Sequence, residues 1–440
     1  MMSHAMRPRN RGWWNRAFPW TAGSSLQTDH DCGGRAPKRR LHVVILVRSF
    51  GFPNGMANTN RARLLGRALT GHDVGVTVLC SRVSEKPGSV HNTRVRGVTD
   101  GISFRYTAGT TVRPDSFIWR RIREAQGYVG ALLALANLKA AGKLDCVYLW
   151  SGAMSWQAGP WLLVRYLNTL RVPVIVELNE RPWEVPARPR VLAKRLSFLD
   201  GVSGVVAIST WLAEWAEGEA RRLRRQVRIL DLPIVVDVAE STPSDRPPPD
   251  QALVYAASPG YDAALAFILA AMQEVWRRHP ECKLTVTGGD RSPSREAADS
   301  MQEDADPGDE RVIRVGYVDR DALLHLFAQA SALLIPLFDD DRSRARFPSK
   351  IGEYLAAARP IVTTRVGEIE RFFQDGENAF VANPGDATAY AQKIIEVLDD
   401  PAAATAVGRA GLTVAMSSFD YSLHGAKLRT FVESLSESRQ

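Results

Sequence analysis

Between Arg342 and Glu353 the chain gathers side chains suited to holding a phosphorylated ligand. Arg342, Arg344 and Arg346 alternate along one segment, Phe347-Pro348-Ser349 follows, and Lys350 and Glu353 stand three apart. Guanidinium and ammonium groups meet phosphate oxygens through charge-assisted hydrogen bonds. A carboxylate beside them can accept paired hydrogen bonds from ribose hydroxyls. Pro348 and Ser349 are residues that open a helix, with Ser349 as its N-cap. Lys350 and Glu353 then share a face of the first turn. Free backbone N–H groups and the positive end of the helix dipole favour an anion such as a diphosphate at the same place. A solvated basic loop with a surface Lys–Glu pair is the plainer reading of these residues, and it stays open.

The elements around this stretch follow an α/β rhythm. Val43–Val47 is a continuous apolar run, as in a central parallel strand buried on both faces. A loop with Gly51, Pro53, Asn54 and Gly55 leads to a helix over Asn58–Thr70 and a strand over Val74–Cys80, which makes one βαβ unit. The loop lacks G-x-G-x-x-G, so a dinucleotide fingerprint is not supported. Asp100-Gly101 is the turn of a hairpin. Further strands are expected at Cys146–Trp150, Val172–Glu177, Val205–Ile208 and Ile229–Pro233. The proline-rich stretch 241–250 marks a linker. Beyond it come strands at Leu253–Ala257, Lys283–Thr287, Val312–Val315, Ala332–Ile335 and Ile361–Thr364, with helices over Asp262–His279 and Asp321–Ala330. Strand–loop–helix units of this kind build doubly wound sheets whose sites lie along the strand C-termini.

The run PSKIGEYLAAARPIVTT, with Val366-Gly367-Glu368 and Asp375-Gly376-Glu377-Asn378-Ala379 after it, resembles the donor-site signature of glycosyltransferase family 4. That family's pattern reads E-x7-E, A-x-G-x-P-V-V, a G-E or G-G turn, then D-G-x-N/T-G. Its members are retaining, nucleotide-sugar-dependent enzymes of the GT-B fold. The resemblance covers roughly residues 41–435 and is strongest over 250–395. It implies an α/β, GT-B architecture: two Rossmann-like doubly wound domains facing a cleft, with a C-terminal helix crossing back to the first. The corresponding boundaries are a basic extension over 1–40, an acceptor domain over 41–237, a linker over 238–251, a donor domain over 252–415, and a crossing-back helix and tail over 416–440.

Site residues follow from the resemblance. Departure of a nucleoside diphosphate builds negative charge on the leaving phosphate while the sugar becomes oxocarbenium-like, and fixed positive groups stabilise that charge. Arg344, Arg346 and Lys350 are assigned to it, and Ser349, Lys350 and Glu353 to donor binding. Gly260, Tyr261, Gly288, Gly316, Tyr317 and Val318 fall where the family approaches the nucleotide with backbone. Gly55, Asn58, Asn60 and Arg61 match the first loop and helix start that face the acceptor. Asn179 and Glu180 occupy the strand end where members often place a histidine. Asn179 is assigned to the acceptor and Glu180 to a general-base role, with helix capping or ion pairing as the alternative for Glu180. The chain departs from the pattern at Ala345, where the first motif glutamate would stand, and at Ala358, where glycine is usual. Ser258-Pro259-Gly260-Tyr261-Asp262 also replaces a loop that commonly carries an arginine and a lysine.

Composition narrows the class. The 440 residues are 45% hydrophobic and 24% charged, which suits two globular domains. A net charge of +8 points to anionic partners. Much of it lies in the first 50 residues, so a nucleic-acid interface is not supported. Cys32, Cys80, Cys146 and Cys282 have no ligand-like spacing, and no D-x-D pair argues for a metal. The expectation is a cytoplasmic protein needing no cofactor beyond a nucleotide-sugar co-substrate, with a sugar, lipid-linked or small-molecule acceptor. No apolar run reaches the ~20 residues of a spanning helix. Trp13, Trp14 and Trp20 among the arginines of residues 1–40 leave open peripheral contact with an anionic membrane, with a disordered extension as the other reading. Two further readings of the whole chain stay open: a GT-B protein that does not transfer sugar, such as a partner subunit or a pseudo-glycosyltransferase, and a nucleotide-sugar epimerase.

Overall fold

The computed structural model describes residues 40–150, 158–180, 198–241, 243, 248, 251–257, 262–288, 304–306, 309–316 and 318–437. The expected basic extension, most of the proline-rich linker, Gly260, Tyr261 and Tyr317 lie outside them.

The first domain opens with β1 (His42–Val47), α1 (Ala57–Thr70) and β2 (Gly75–Cys80). The hairpin β3 (Arg96–Thr99) and β4 (Ile102–Tyr106) follows, then α2 (Phe117–Ala140) and β5 (Cys146–Trp150). The domain continues with α3 (Ala158–Thr169), β6 (Val174–Leu178), β7 (Gly204–Ala207), α4 (Thr210–Arg222) and β8 (Arg228–Asp231). Its 8-stranded sheet has the order β3-β4-β2-β1-β5-β6-β7-β8, parallel except for β3. The hairpin turns as expected, with Asp100 and Gly101 both at positive φ, 52° and 74°. Every residue of β5, β6 and β7 is buried, because helices cover both faces. One face carries α2 and α3 over Val44, Leu46, Val147 and Leu149; the other carries α1 over Val43, Ile45, Val76 and Tyr148.

The second domain runs from β9 (Ala252–Ala256) through α5 (Asp262–Arg278), β10 (Lys283–Thr287), β11 (Asp304–Asp306), β12 (Asp309–Gly316), α6 (Arg320–Gln329) and β13 (Ala332–Ile335). Two short helices, α7 (Asp341–Ala345) and α8 (Lys350–Ala356), precede β14 (Ile361–Thr364), α9 (Ile369–Phe372) and β15 (Phe380–Ala382). The 7-stranded sheet has the order β11-β12-β10-β9-β13-β14-β15. In both sheets the first strand of the domain sits where the winding direction reverses, beside β5 in one and β13 in the other.

Helices α10 (Ala387–Asp399) and α11 (Pro401–Val414) lead out of the second domain, and α12 (Gly425–Glu437) lies on the first. Leu428, Phe431, Val432 and Leu435 join the core beneath α1 and β7. Gly204 admits the Phe431 ring, since a Cβ there would stand 2.8 Å from it, and Gly425 admits the Ala68 carbonyl at 2.4 Å in the same sense. The outgoing and returning segments are tied side by side, Val236 N–H to Phe419 O and Tyr421 N–H to Val236 O, each at 2.9 Å. Apolar packing is continuous between the domains: Leu178, Leu212, Ile234 and Val236 share one cluster with Val254, Phe347, Ile351 and Phe419. Among the described residues no helix is long and apolar enough to cross a membrane.

Candidate active site

Helix α8 is held from beneath. Ile351, Tyr354 and Leu355 are buried, the Tyr354 hydroxyl accepts the Ala256 N–H at 3.0 Å, and Gly352 leaves space for Val236, whose Cβ would lie 3.1 Å from an added one. Lys350 and Glu353 are thereby left on the rim. The Lys350 ammonium donates to the carbonyls of Ala256 and Ala257, the latter at 3.1 Å, at the carboxyl end of β9. Burial pulls its pKa down to about 8, with Glu353 acting in the opposite sense.

Beside this ammonium, three strand ends meet on bare backbone. Gly288, just past β10, has φ 80°, and a Cβ on it would stand 2.5 Å from the Ala257 carbonyl oxygen. Its N–H donates to Gly316 O at 2.5 Å, and Gly316 ends β12 at φ 61°. Only glycine at 288 allows that approach. Val318 follows β12, half-buried, and leads to Asp319, whose carboxylate caps α6 through the Ala322 N–H at 2.9 Å.

The helix start differs from the sequence expectation. Ser349 stands before α8 in helical backbone geometry and its side chain makes no capping bond. The N–H groups of Ile351 and Gly352 are already taken by the Pro348 and Ser349 carbonyls at 3.0 and 3.1 Å. The tight first turn satisfies donors that the sequence reading left for an anion. Positive charge at this rim therefore comes from Lys350 rather than from open backbone.

Glu353 is a junction between domains. Its Oε1 accepts from Arg320 Nη1 at 2.8 Å and from Asn60 Nδ2 of the first domain at 3.4 Å. Its Oε2 accepts no hydrogen bond among the described residues. Arg320 also forks onto Glu240 Oε2 at 3.0 and 2.7 Å, and Arg63 of α1 reaches the other oxygen of Glu240. Burial works to raise the Glu240 carboxyl, but Arg63 and Arg320 outweigh it and hold the pKa below the usual carboxylate value. Sequence reasoning missed Arg320 and Glu240. Arg320 had a signal, an arginine directly after the N-cap at a strand end; Glu240, beside the linker, had none.

The arginine segment is distributed rather than gathered. It forms α7 instead of an extended loop, capped by Asp340 through the Ser343 N–H at 2.6 Å. Arg344 turns to Asp339 at 2.5 Å, half-exposed, so this guanidinium is ion-paired within its own segment. Arg346 reaches across to Glu180 of the first domain at 2.8 Å. Two residues assigned to chemistry are thus brought together, as an ion pair. Ala345 between the arginines is fully buried, and its carbonyl accepts the Ser209 hydroxyl at 2.8 Å. Glu368 caps α4 of the first domain through the Thr210 N–H at 2.7 Å.

Among the acceptor-side residues, Asn58 and Asn179 meet at 3.1 Å, exposed, and Asn60 faces Glu353. Gly55 is exposed against Thr59, whose hydroxyl holds the Gly51 carbonyl at 2.9 Å. Arg61 is a correction: it is 3% exposed and turned inward, bound to Glu177 at 2.7 Å and to the Pro233 and Leu232 carbonyls at 2.6 and 3.0 Å. Tyr148 donates to the other Glu177 oxygen. A fully desolvated guanidinium with its counter-ion is a tie between α1, β6 and the chain after β8, not an acceptor contact.

Residues 250–400 match the family model described as Glycosyl transferases group 1. The chain is 28% identical over 176 residues to glycogen synthase of Mycobacterium tuberculosis (strain H37Rv), covering 38% of this chain and 39% of that enzyme. It thus spans about two fifths of the curated relatives it matches. Sucrose-phosphate synthase from Thermosynechococcus elongatus superposes with a TM-score of 0.64 at 16% identity, over 91% of this chain and 100% of that one. Anabaena HepE in complex with UDP and glucose gives 0.58 at 14%, over 90% and 100%. The fold is that of two-domain GT-B glycosyltransferases, and the match to the group 1 model falls within the second domain and the helices that follow it.

Proposed function

We propose that the protein is a retaining, metal-independent glycosyltransferase that moves a sugar from a nucleoside-diphosphate sugar to an acceptor hydroxyl or amine. The observation that carries this reading is the Lys350 ammonium set against the converging ends of β9, β10 and β12, with Glu353 one turn further along. Backbone at Gly288 and Gly316 lets a nucleotide approach closely, Lys350 meets the diphosphate, and the second oxygen of Glu353 is available to a ribose hydroxyl. Charge that develops on the leaving diphosphate is then stabilised by an ammonium already in place. The Arg346–Glu180 pair and the Asn58–Asn179 contact line the first domain's side, where an acceptor would enter.

Thermal unfolding against a panel of nucleoside diphosphates tests the site. A one-site ligand at 100 times its Kd stabilises by about 2.7 kcal/mol. Lys350→Met and Glu353→Gln are each expected to remove the shift; a shift that survives both refutes the placement.

One observation favours a second reading, in which the protein binds the donor without transferring its sugar. Ala345 stands where the family's first acid would contact the sugar, and its buried position has no carboxylate to offer. Radiolabelled nucleotide-sugars separate the two: binding with neither transfer nor slow donor hydrolysis supports the second.

A further inference from the structure

We propose that the solvent-facing side of α2 is a docking surface for an anionic membrane. This helix has two apolar faces where a surface helix normally has one. Its inner face sets Ala131, Leu135 and Leu138 against the sheet. Gly127 and Gly130 allow very close approach there, since Cβ atoms on them would stand 2.2 Å from Ser81 O and 2.4 Å from Thr107 O.

Its outer face carries Ile118, Ile122, Val129 and Leu133, which are 69, 38, 53 and 60% exposed. Their spacing of four, seven and four residues keeps them within about 60° of one another around the helix axis, opposite the buried side. The strip is about 22 Å long at 1.5 Å per residue. At the helix start Trp119, 57% exposed, flanks the strip, while Phe117, 62% exposed, points away from it. Helix α3 lies alongside, its Tyr166 hydroxyl donating to Leu132 O at 3.2 Å, and Leu162, one turn earlier on α3, is 50% exposed. Of the twelve large hydrophobic side chains exposed among the described residues, seven stand on these two helices. Isolated exposed apolar residues need no explanation, but a contiguous strip does.

Charge selects the occupant. Arg113, Arg121 and Arg123 lie near the tryptophan end of the strip along the chain, with Asp115 and Glu124 among them; Arg120 turns to the Asp115 carbonyl at 3.1 Å. Glu124 is shared by Arg82 at 2.5 Å and Arg121 at 2.7 Å, so one acid serves two cations and the surface stays positive. An aliphatic face with a tryptophan beside its end and arginines at its flanks is the pattern of a helix lying in the plane of an anionic bilayer, its long basic side chains reaching headgroup phosphates. The same end of α2 stands at the carboxyl edge of the first sheet, where Gly127 meets the residue after β2 and Arg48, after β1, lies over the Tyr128 ring at 5.8 Å. A bilayer seated on α2 would therefore lie beside the first domain's ligand edge.

Flotation of the full chain with phosphatidylcholine vesicles, with and without phosphatidylglycerol, tests this. Residues 1–39 are present in every sample, so the comparison isolates α2. Wild type should float with the anionic vesicles, and added salt should weaken the association. Val129→Asp/Leu133→Asp should lower the bound fraction about tenfold while leaving the thermal midpoint unchanged, because both side chains are more than half exposed. Variant binding equal to wild type would place the contact elsewhere and overturn the proposal. So would equal, salt-independent binding to neutral vesicles, or a concentration-dependent dimer by light scattering that the same variant abolishes, which would assign the strip to a second copy of the chain.

Discussion

Lys350 offers the sharpest test, because its charge state links ligand binding to stability. Its pKa in the folded protein is about 8, below the ordinary lysine value of 10.5. If a diphosphate needs the ammonium, affinity is full below about pH 8 and falls tenfold per pH unit above it. At about pH 9.5 only about 3% of Lys350 carries its proton, so Kd rises about thirtyfold. Ligand that stands at 100 times Kd at neutral pH then stands at about three times Kd, and its stabilisation drops from about 2.7 to about 0.8 kcal/mol. For a chain of this length that is a thermal shift of about 3 °C falling to about 1 °C.

Stability of the unliganded protein moves the other way. A lysine whose folded pKa is depressed binds fewer protons than in the unfolded chain between pH 8 and 10.5, so its cost is full below about 8 and disappears by about 10.5. The stability gained by Lys350→Met should therefore shrink across that window, by at most about 3 kcal/mol. The assay is thermal unfolding of wild type and variant at neutral and alkaline pH, with and without the tightest-binding diphosphate. An undiminished ligand shift at high pH, or one retained in Lys350→Met, refutes the reasoning.

Other substitutions probe the frame around that group. Arg61→Met leaves Glu177 buried without its cation and should cost about 3–5 kcal/mol in urea unfolding. Arg320→Gln should cost about 1–3 kcal/mol, the pair being partly exposed; because the Glu240 carboxyl is held low, that cost is present above about pH 4.5 and fades as pH falls through the folded value. Gly288→Ala should destabilise clearly more than Gly316→Ala, since both sit at positive φ but only the first would drive a Cβ into backbone; equal costs by thermal unfolding would remove the argument for a close approach at Gly288. Ala345→Glu, which restores the family's acid, should lower stability by several kcal/mol and add no transfer activity, because the position is wholly buried; a stable variant with new donor hydrolysis would overturn that.

Strand positions were legible because a strand buried on both faces must be a continuous apolar run. Cys146–Trp150 and Ala332–Ile335, apolar throughout and wholly buried, emerge in the structure with the bounds read from the chain; Lys283–Thr287 and Ile361–Thr364 keep their bounds too, although lysine and threonines interrupt their apolar residues. The hairpin was legible because Asp100-Gly101 supplies the positive φ its turn requires. Lys350 and Glu353 were legible as a pair because three residues on a helix span one turn. The helix α7 was not, since alternating arginines read equally as loop until Asp340 caps them.

Which cation meets which anion depends on long-range placement, to which local spacing is blind. Arg61 and Arg63 lie on the same helix two residues apart, yet one is sealed onto Glu177 in the core and the other turns to Glu240 at the rim. Arg346 finds Glu180 across the two domains, and Arg320 finds Glu353 within the second domain, 33 positions on. Residue order therefore settled the α/β alternation and the strand cores, because those rest on neighbours within a turn or a strand. Tertiary packing decided which charged side chains are sealed in the core and which stand at the rim, because their counter-ions arrive from remote parts of the chain, 116 positions away for Arg61 and 177 for Arg63.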